Sequence, residues 1–499
     1  MKTLVYSSIA VWSGRLHVLL AVAQETVDAG GEVVYIGCNG GLPSCVANLD
    51  HAGAICRYCT ARNRKGVGLL GPGVVEHDLT DYLDRAVIDR VLSSTDPFDD
   101  LAALQGLEYS GAEVGYAALS SYITATRDPD PDLADPVIRA ALQRLINAAK
   151  LVYEALASAL RKERPDRVVI FNGRLTADRA VLAACEKAGI DCDVYEITQK
   201  HDHVTVFRNA LTGDIASTAR TIEELWDLQA PDRVQVAETF FEKTRNGVFT
   251  NDLVFVDEQT SGKLPPDWND DRKNIVIFGS SEDEFAAIGK EWDRRIYGGQ
   301  AEGAERISRA LADDAKIRVY LRLHPNMAGL DRAYARDLLR LEGKLDNLIV
   351  LGPESDYSSY ALLDRADTVV TFGSTLGIEA VYWGRPSVLL VSCFYRSLGG
   401  TYNPETHEEV VALLRSELAP KDRTPALKMG YYRMKNGFRQ SHFDGDRRDG
   451  PRRGYFFKGD RIAVRGLLRA RYKLAKRRMQ HRWGRGSGPD LRSRFGRSS

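Results

Sequence analysis

The chain has 499 residues, 44% of them hydrophobic and 27% charged, which is the composition of a globular protein of two or three domains and excludes a disordered or fibrous one. No run of eighteen apolar residues occurs, so no membrane-spanning helix is expected. The 68 basic and 68 acidic residues cancel, but 13 of the basic and only one of the acidic residues fall in 461–499, leaving 55 against 67 before them.

The N-terminus runs from Met1-Lys2-Thr3-Leu4-Val5-Tyr6 directly into Ser7-Ser8 without the pattern of a signal peptide. A cytoplasmic protein with mostly reduced cysteines is therefore expected. The first elements predicted are a strand over 4–9, a helix over 15–29 stopped by Gly30-Gly31, and a strand over 32–36. This βαβ opening has no Gly-x-Gly-x-x-Gly, and the chain has no P-loop, so neither phosphate-binding fingerprint is present. His17, at the start of the first helix, is a candidate base or simply a solvated histidine. Cys38, Cys45, Cys56 and Cys59 lie within twenty-two residues, and the last two have the Cys-x2-Cys spacing that places two thiolates on one metal. A structural zinc or iron–sulfur cluster is one reading, and buried cysteines or a redox pair is the other.

A helix over 108–126 carries Glu113 and Tyr122 and is followed by Arg127; these three can face a sugar acceptor or the helix can simply be solvated or packed, and Asp128-Pro129-Asp130-Pro131-Asp132 breaks it. After a long helix over 136–160, a strand over 167–171 ends in Asn172-Gly173-Arg174. A helix over 178–187 stops at Gly189, and a strand over 193–196 ends at Glu196. Asn172 and Arg174 are candidates to bind an acceptor and Glu196 to activate it, because open parallel sheets bind ligands at the carboxyl ends of their strands. The alternative is that they only close turns, as Asn-Gly does.

Residues 205–271 read as a linker with helical stretches over 221–228 and 235–244. The second half opens with an apolar strand over 274–278 and Gly279-Ser280-Ser281. Ser281 and Glu284 have capping-box spacing, and Ser280 and Ser281 are also donor-contact candidates. Strands and helices then alternate to 388–391, which implies a doubly wound parallel sheet. Within it, a strand over 317–323 runs into His324-Pro325, and a strand over 367–372 runs into Gly373-Ser374-Thr375-Leu376-Gly377-Ile378-Glu379-Ala380. Two polar turns on the same sheet edge suit a phosphate group, although Ser374 as an N-cap and His324 as a strand-end residue would explain them singly. Residues 437–459 read as mobile. A basic helix over 461–483 has Val464, Leu468, Tyr472, Ala475, Met479 and Trp483 on one stripe, the pattern of a helix lying on anionic lipid. Packing on its own domain and contact with nucleic acid are the alternatives.

The set Arg322-Leu323-His324-Pro325, Phe372 to Ala380 and Trp383-Gly384-Arg385-Pro386 resembles the nucleotide-binding half of bacterial capsular polysaccharide biosynthesis proteins with the two-Rossmann GT-B architecture. It resembles more distantly bacterial polysialyltransferases and teichoic-acid glycerophosphotransferases. The resemblance implies an α/β chain of two Rossmann-like doubly wound domains facing a cleft. An acceptor domain is expected over 1–204, a linker over 205–271, a donor domain over 272–436 and a mobile basic tail over 437–499. It further implies that His324, Pro325, Gly373, Ser374 and Thr375 hold the phosphates of a nucleotide-activated sugar, with Glu379 on its ribose or sugar. Thr375 stands where many relatives carry a second serine. The expected activity is a metal-independent glycosyltransferase needing no cofactor for catalysis, with His324 stabilising the leaving phosphate and Glu196 or His17 as base. Its partners would be a glycan or lipid-linked glycan acceptor and the inner membrane surface, without nucleic acid. A nucleotide-sugar epimerase of the same fold, a phosphoester transferase and a non-catalytic assembly protein remain as alternatives.

Overall fold

The computed structural model describes residues 1–198, 200, 202–248, 256, 259–445 and 454–484. They form two compact units, each built on its own sheet.

The first unit contains β1 (Lys2–Ser7), α1 (Ser13–Asp28), β2 (Glu32–Gly37), α2 (Gly53–Val67), β3 (Val74–Asp78), α3 (Arg85–Ser93), α4 (Leu101–Gln105), α5 (Val114–Thr126), α6 (Pro136–Glu163), β4 (Arg167–Phe171), α7 (Thr176–Ala188), β5 (Cys192–Ile197) and β6 (Val204–Arg208). Its strand order is β3-β2-β1-β4-β5-β6, parallel except for β6, which runs antiparallel to β5. α1 is apolar around most of its circumference and is buried from Gly14 to Gln24, as such a helix must be. Local signals act as the sequence predicts: Asp135 caps α6 by accepting from the Val137 N–H at 2.7 Å with Pro136 at its first position, and Gly189 ends α7 at φ +67°. Because β2 and β4 lie on opposite sides of β1, the strand order reverses between β1 and β4.

The second unit begins with α8 (Ile215–Asp227) and α9 (Arg233–Arg245) and continues through β7 (Lys273–Phe278), α10 (Glu282–Phe285), α11 (Gln300–Ala310), β8 (Ile317–Arg322), α12 (Ala333–Leu339), β9 (Leu348–Leu351), α13 (Ser359–Arg365), β10 (Thr368–Thr371), α14 (Leu376–Tyr382), β11 (Ser387–Leu389), α15 (His407–Arg415) and α16 (Thr424–Lys435). Its sheet, β11-β10-β7-β8-β9, is wholly parallel, and its order reverses between β7 and β10. The expected α/β class with two doubly wound, Rossmann-like units is thus observed.

Two segments join units other than those the composition suggested. Of the expected linker, β6 completes the first sheet, whereas α8 and α9 pack on α16 through Trp226, Ala237, Leu427 and Tyr431. Residues 437–445 and 454–484, expected as a mobile tail, lie against the first unit. They form the short pair β12 (Phe443–Asp444) and β13 (Phe456–Phe457) and the helix α17 (Leu467–Arg482). Phe443, Phe457 and Ile462 enter the core beside α1, and Arg62 donates to the Ile462 carbonyl at 3.0 Å. Residues 446–453 and 485–499 of that tail are outside the described residues. Among the described residues, no helix is long and apolar enough to cross a membrane.

Candidate functional site

A cavity of about 500 Å³ opens in the second unit where the ends of β7, β8 and β10 meet, at the reversal of strand order where such sheets bind ligands. His324, Pro325, Ser280, Gly373, Ser374, Thr375 and Glu379 all line it. These are the residues singled out at the three strand ends after 274–278, 317–323 and 367–372, save Ser281.

Each wall is held by local chemistry. The Asn326 backbone N–H donates to His324 Nδ1 at 3.1 Å across the turn begun by Pro325. With Nδ1 accepting, a neutral ring carries its proton on Nε2 and is a donor there. Gly373 takes φ +93°, a conformation that favours glycine. The Ser374 N–H donates to Thr371 Oγ1 at 2.8 Å and its carbonyl accepts from the Tyr395 hydroxyl at 2.6 Å. A Cβ on Gly377 would collide with Thr371 and Tyr395, so glycine is needed for α14 to sit this close to β10. Glu379 is buried and accepts from the Tyr360 hydroxyl at 2.6 Å.

Ser280 and Ser281 behave differently from each other. Ser280 lines the cavity, and its hydroxyl donates to the Phe372 carbonyl at 2.9 Å, tying β7 to β10. Ser281 is buried and donates to Asp283 Oδ1 at 2.5 Å. The capping box expected of Ser281 and Glu284 is not formed: α10 is four residues long, Ser281 makes no side-chain cap, and Glu284 accepts from Asn326 Nδ2 at 2.7 Å.

In the first unit, Asn172 and Glu196 are brought together at the ends of β4 and β5. Asn172 Nδ2 donates to Glu196 Oε2 at 2.7 Å, and the Ile197 N–H donates to Glu196 Oε1 at 3.0 Å. Burial raises the Glu196 carboxyl above the usual range, against these two hydrogen bonds and the Arg15 and Arg174 charges. Arg174 lies within 3.4 Å of Thr124 Oγ1.

His17 is not on a solvated edge. It is fully buried in the first unit, with Nδ1 at 2.5 Å from the Ser13 carbonyl, and burial lowers its pKa to about 4. Tyr122 is likewise buried, and Glu113 pairs with Arg179 at 2.6 Å. Cys38, Cys45, Cys56 and Cys59 are free thiols on the loop after β2 and on α2. The Ala10 N–H and Asn48 Nδ2 donate to Cys59 and Cys56 Sγ, each at 3.2 Å. Among the described residues no group of three or more His, Cys, Asp or Glu side chains is placed to hold a metal ion.

Two arrangements carry no motif. Arg15, at the start of α1, donates to Ser8 Oγ at 2.8 Å and to Asp178 on α7, and the ion pair is wholly buried. The available signal was a lone arginine shortly before the apolar run 18–23. Arg433, near the end of α16, lines the second unit's cavity; nothing in its neighbouring residues announces this.

Residues 294–421 match the family model described as capsule polysaccharide biosynthesis protein. No curated protein matches the chain. Among solved structures, the KpsC beta Kdo 2,4 transferase of Thermosulfurimonas dismutans is 14% identical, with a TM-score of 0.34 over 54% of this chain and 80% of that one. The glycosyltransferase SnogD from Streptomyces nogalater is 15% identical, with a TM-score of 0.23 over 87% and 96%. The UDP-GlcNAc 2-epimerase from Neisseria meningitidis is 11% identical, with a TM-score of 0.24 over 93% and 97%. The matched span contains His324, Pro325, Gly373, Ser374, Thr375 and Glu379, so the resemblance drawn from those motifs is borne out there: over 294–421 the chain is similar to capsule polysaccharide biosynthesis proteins.

Proposed function

We propose that the protein is a glycosyltransferase of bacterial surface-polysaccharide synthesis that takes its sugar from a nucleotide-activated donor bound in the cavity of the second unit. The observation that carries this reading is the convergence of His324, Ser374 and Thr375 on one cavity inside the span matched by the capsule family model. A donor proton on His324 Nε2 and the two hydroxyls suit phosphate oxygens, whose negative charge grows as the sugar leaves. In the transfer, an acceptor hydroxyl oxygen bonds to the anomeric carbon, the carbon–oxygen bond to phosphate breaks, and the nucleotide departs with that electron pair. The hydroxyl proton goes to a carboxylate. Glu196 is the candidate base, its carboxyl held above the ordinary carboxylate value by burial, and Asn172 and Arg174 are the acceptor-side candidates beside it.

The test is calorimetric titration with CMP, CDP, UDP, GDP and dTDP, repeated on His324→Ala. One nucleotide is expected to bind, and the substitution should weaken it by roughly 1.5 to 3 kcal/mol, the contribution of a charge-assisted hydrogen bond. Sugar transfer to a lipid-linked glycan should then require the matching donor. Failure of every nucleotide to bind the folded protein would sink the reading. Donor turnover without any acceptor would replace it by an epimerase.

A further inference from the structure

The cavity of the second unit straddles the strand ends, because its walls come from both faces of the sheet. On β7, Val276 and Phe278 pack with Leu362 of α13 and Ala380 of α14, whereas the alternating Ile275 and Ile277 pack in the core that holds Met327. Ser359, Tyr360 and Glu379, on α13 and α14, therefore form one side of the cavity. Asn326, hydrogen-bonded to Glu284 at 2.7 Å, forms the other. The α13 side is the more enclosed. Phe240 on α9 and Tyr360 are only 4% and 8% exposed, and Arg245, also on α9, lies 5.2 Å from the centre of the Tyr360 ring. On the opposite side Glu284 is exposed and Phe285 half-buried.

Gln259 lines the enclosed side. Its Oε1 accepts from the Ser359 backbone N–H at 2.7 Å. A backbone nitrogen only donates, so this bond fixes which end of the amide is oxygen. The other end, Nε2, has two N–H donors, no acceptor and no partner among the described residues. A nucleotide with its phosphates at His324 and Ser374-Thr375 places its sugar on one side of them and its base on the other. The sugar has to remain within reach of an acceptor, which suits the open side, and a flat base suits the side walled by buried aromatic rings. We propose that the enclosed side binds the nucleobase and that Gln259 determines which base is taken, by donating from Nε2 to a carbonyl on the base edge farthest from the ribose. Uracil and thymine present O4 there and guanine O6. Cytosine and adenine present an amino group, which would set N–H against N–H. The inference rests on the nucleotide-donor reading and narrows that donor to one with a keto base.

The experiment is calorimetric titration of the full chain with two pairs of nucleotides, UDP with CDP and GDP with ADP. In the pair whose ring size fits, wild type is expected to bind the keto member about tenfold or more tightly than the amino member, the scale of one hydrogen bond made against one denied. Gln259→Glu keeps an oxygen for the Ser359 N–H and puts an acceptor where Nε2 stood, so the keto-to-amino ratio should fall by about tenfold or more. Both members of a pair carry the same phosphates, so the repulsion of the added charge cancels in the ratio. Gln259→Met, of similar length without a donor, should bind both members about equally, and it preserves the test should the glutamate variant fold poorly by circular dichroism. If wild type prefers the amino member, or if both variants keep the wild-type ratio, the role of Gln259 is overturned while the donor site stands. If folded wild type binds no nucleotide at all, the donor reading fails first and the base reading falls with it.

Discussion

Arg15 on α1 and Asp178 on α7 form an ion pair whose side chains are 1% and 0% exposed, at the ends of strands that meet where the first sheet reverses its order. Arg15 also donates to Ser8 just past β1, so one guanidinium joins three segments. Removing one partner of such a pair leaves the other charge buried and uncompensated. Arg15→Ala or Asp178→Asn is expected to destabilise the first unit by about 3 to 5 kcal/mol. The double replacement Arg15→Met with Asp178→Leu should be closer to wild type than either single change. Urea unfolding monitored by tryptophan fluorescence measures this, and single variants as stable as wild type would show that the pair is not what holds these ends together.

Tyr58 and Tyr472 stack with ring centroids 4.2 Å apart, and Trp483 Nε1 donates to Asp50 at 3.2 Å while its ring meets Tyr122 edge-on. The stripe predicted to enter lipid is thus turned onto the first unit, and the basic residues of α17 face outward. Deleting the chain from Gly466 should destabilise the first unit by about 1 to 3 kcal/mol, the scale of uncovering one or two large apolar side chains. Any adsorption to vesicles of anionic lipid should rest on charge alone. It should weaken severalfold between 0.1 and about 0.5 M salt as the screening length shrinks. Salt-insensitive cosedimentation would mean that the stripe leaves Tyr58 and inserts after all.

The parts of this fold that were legible in the sequence are those set by short-range signals. The β-strand and helix alternation follows from apolar runs and glycine stops, and His324 and Ser374 could be placed on one edge because strand ends in a parallel sheet share an edge. The capping box at Ser281 misled because spacing alone does not show that α10 ends after four residues. The return of 437–484 to the first unit was obscured because Phe443, Phe457 and Ile462 are scattered among charged residues and pack only through long-range contact. Arg433 was obscured for a related reason: helix packing, not motif, sets where its side chain goes.

His17 gives the first unit a defined acid limb. Burial holds its pKa at about 4, below the unfolded value near 6.5. The unfolded chain therefore binds a proton that the folded one refuses. Stability from this group is fully present above about pH 6.5 and is lost as the pH falls toward 4, by about 3 kcal/mol at most. His17→Gln should lose less stability than wild type between pH 7 and pH 4. Parallel losses in urea titrations at those two pH values would count against a buried neutral histidine.

The cysteines of the loop after β2 and of α2 are held by burial as protonated thiols: Cys38 is pushed up to about 12, and Cys45, Cys56 and Cys59 are also raised, burial being the largest cause for each. Since the thiolate is the reactive form, native Cys38 and Cys45 should be alkylated by iodoacetamide at pH 8 at least about a hundredfold more slowly than in urea. Cys56, the least buried of the four thiols, should react first. The same experiment addresses the zinc or iron–sulfur expectation, because a metal would also protect these sulfurs but would hold them as thiolates. Buried thiols stay slow when a chelator is added to the folded protein. A metal site becomes fast, and it releases about one ion or one cluster per chain to elemental analysis as it does so. Protection that a chelator abolishes, with that metal released, would therefore replace the buried-thiol account by a structural metal centre.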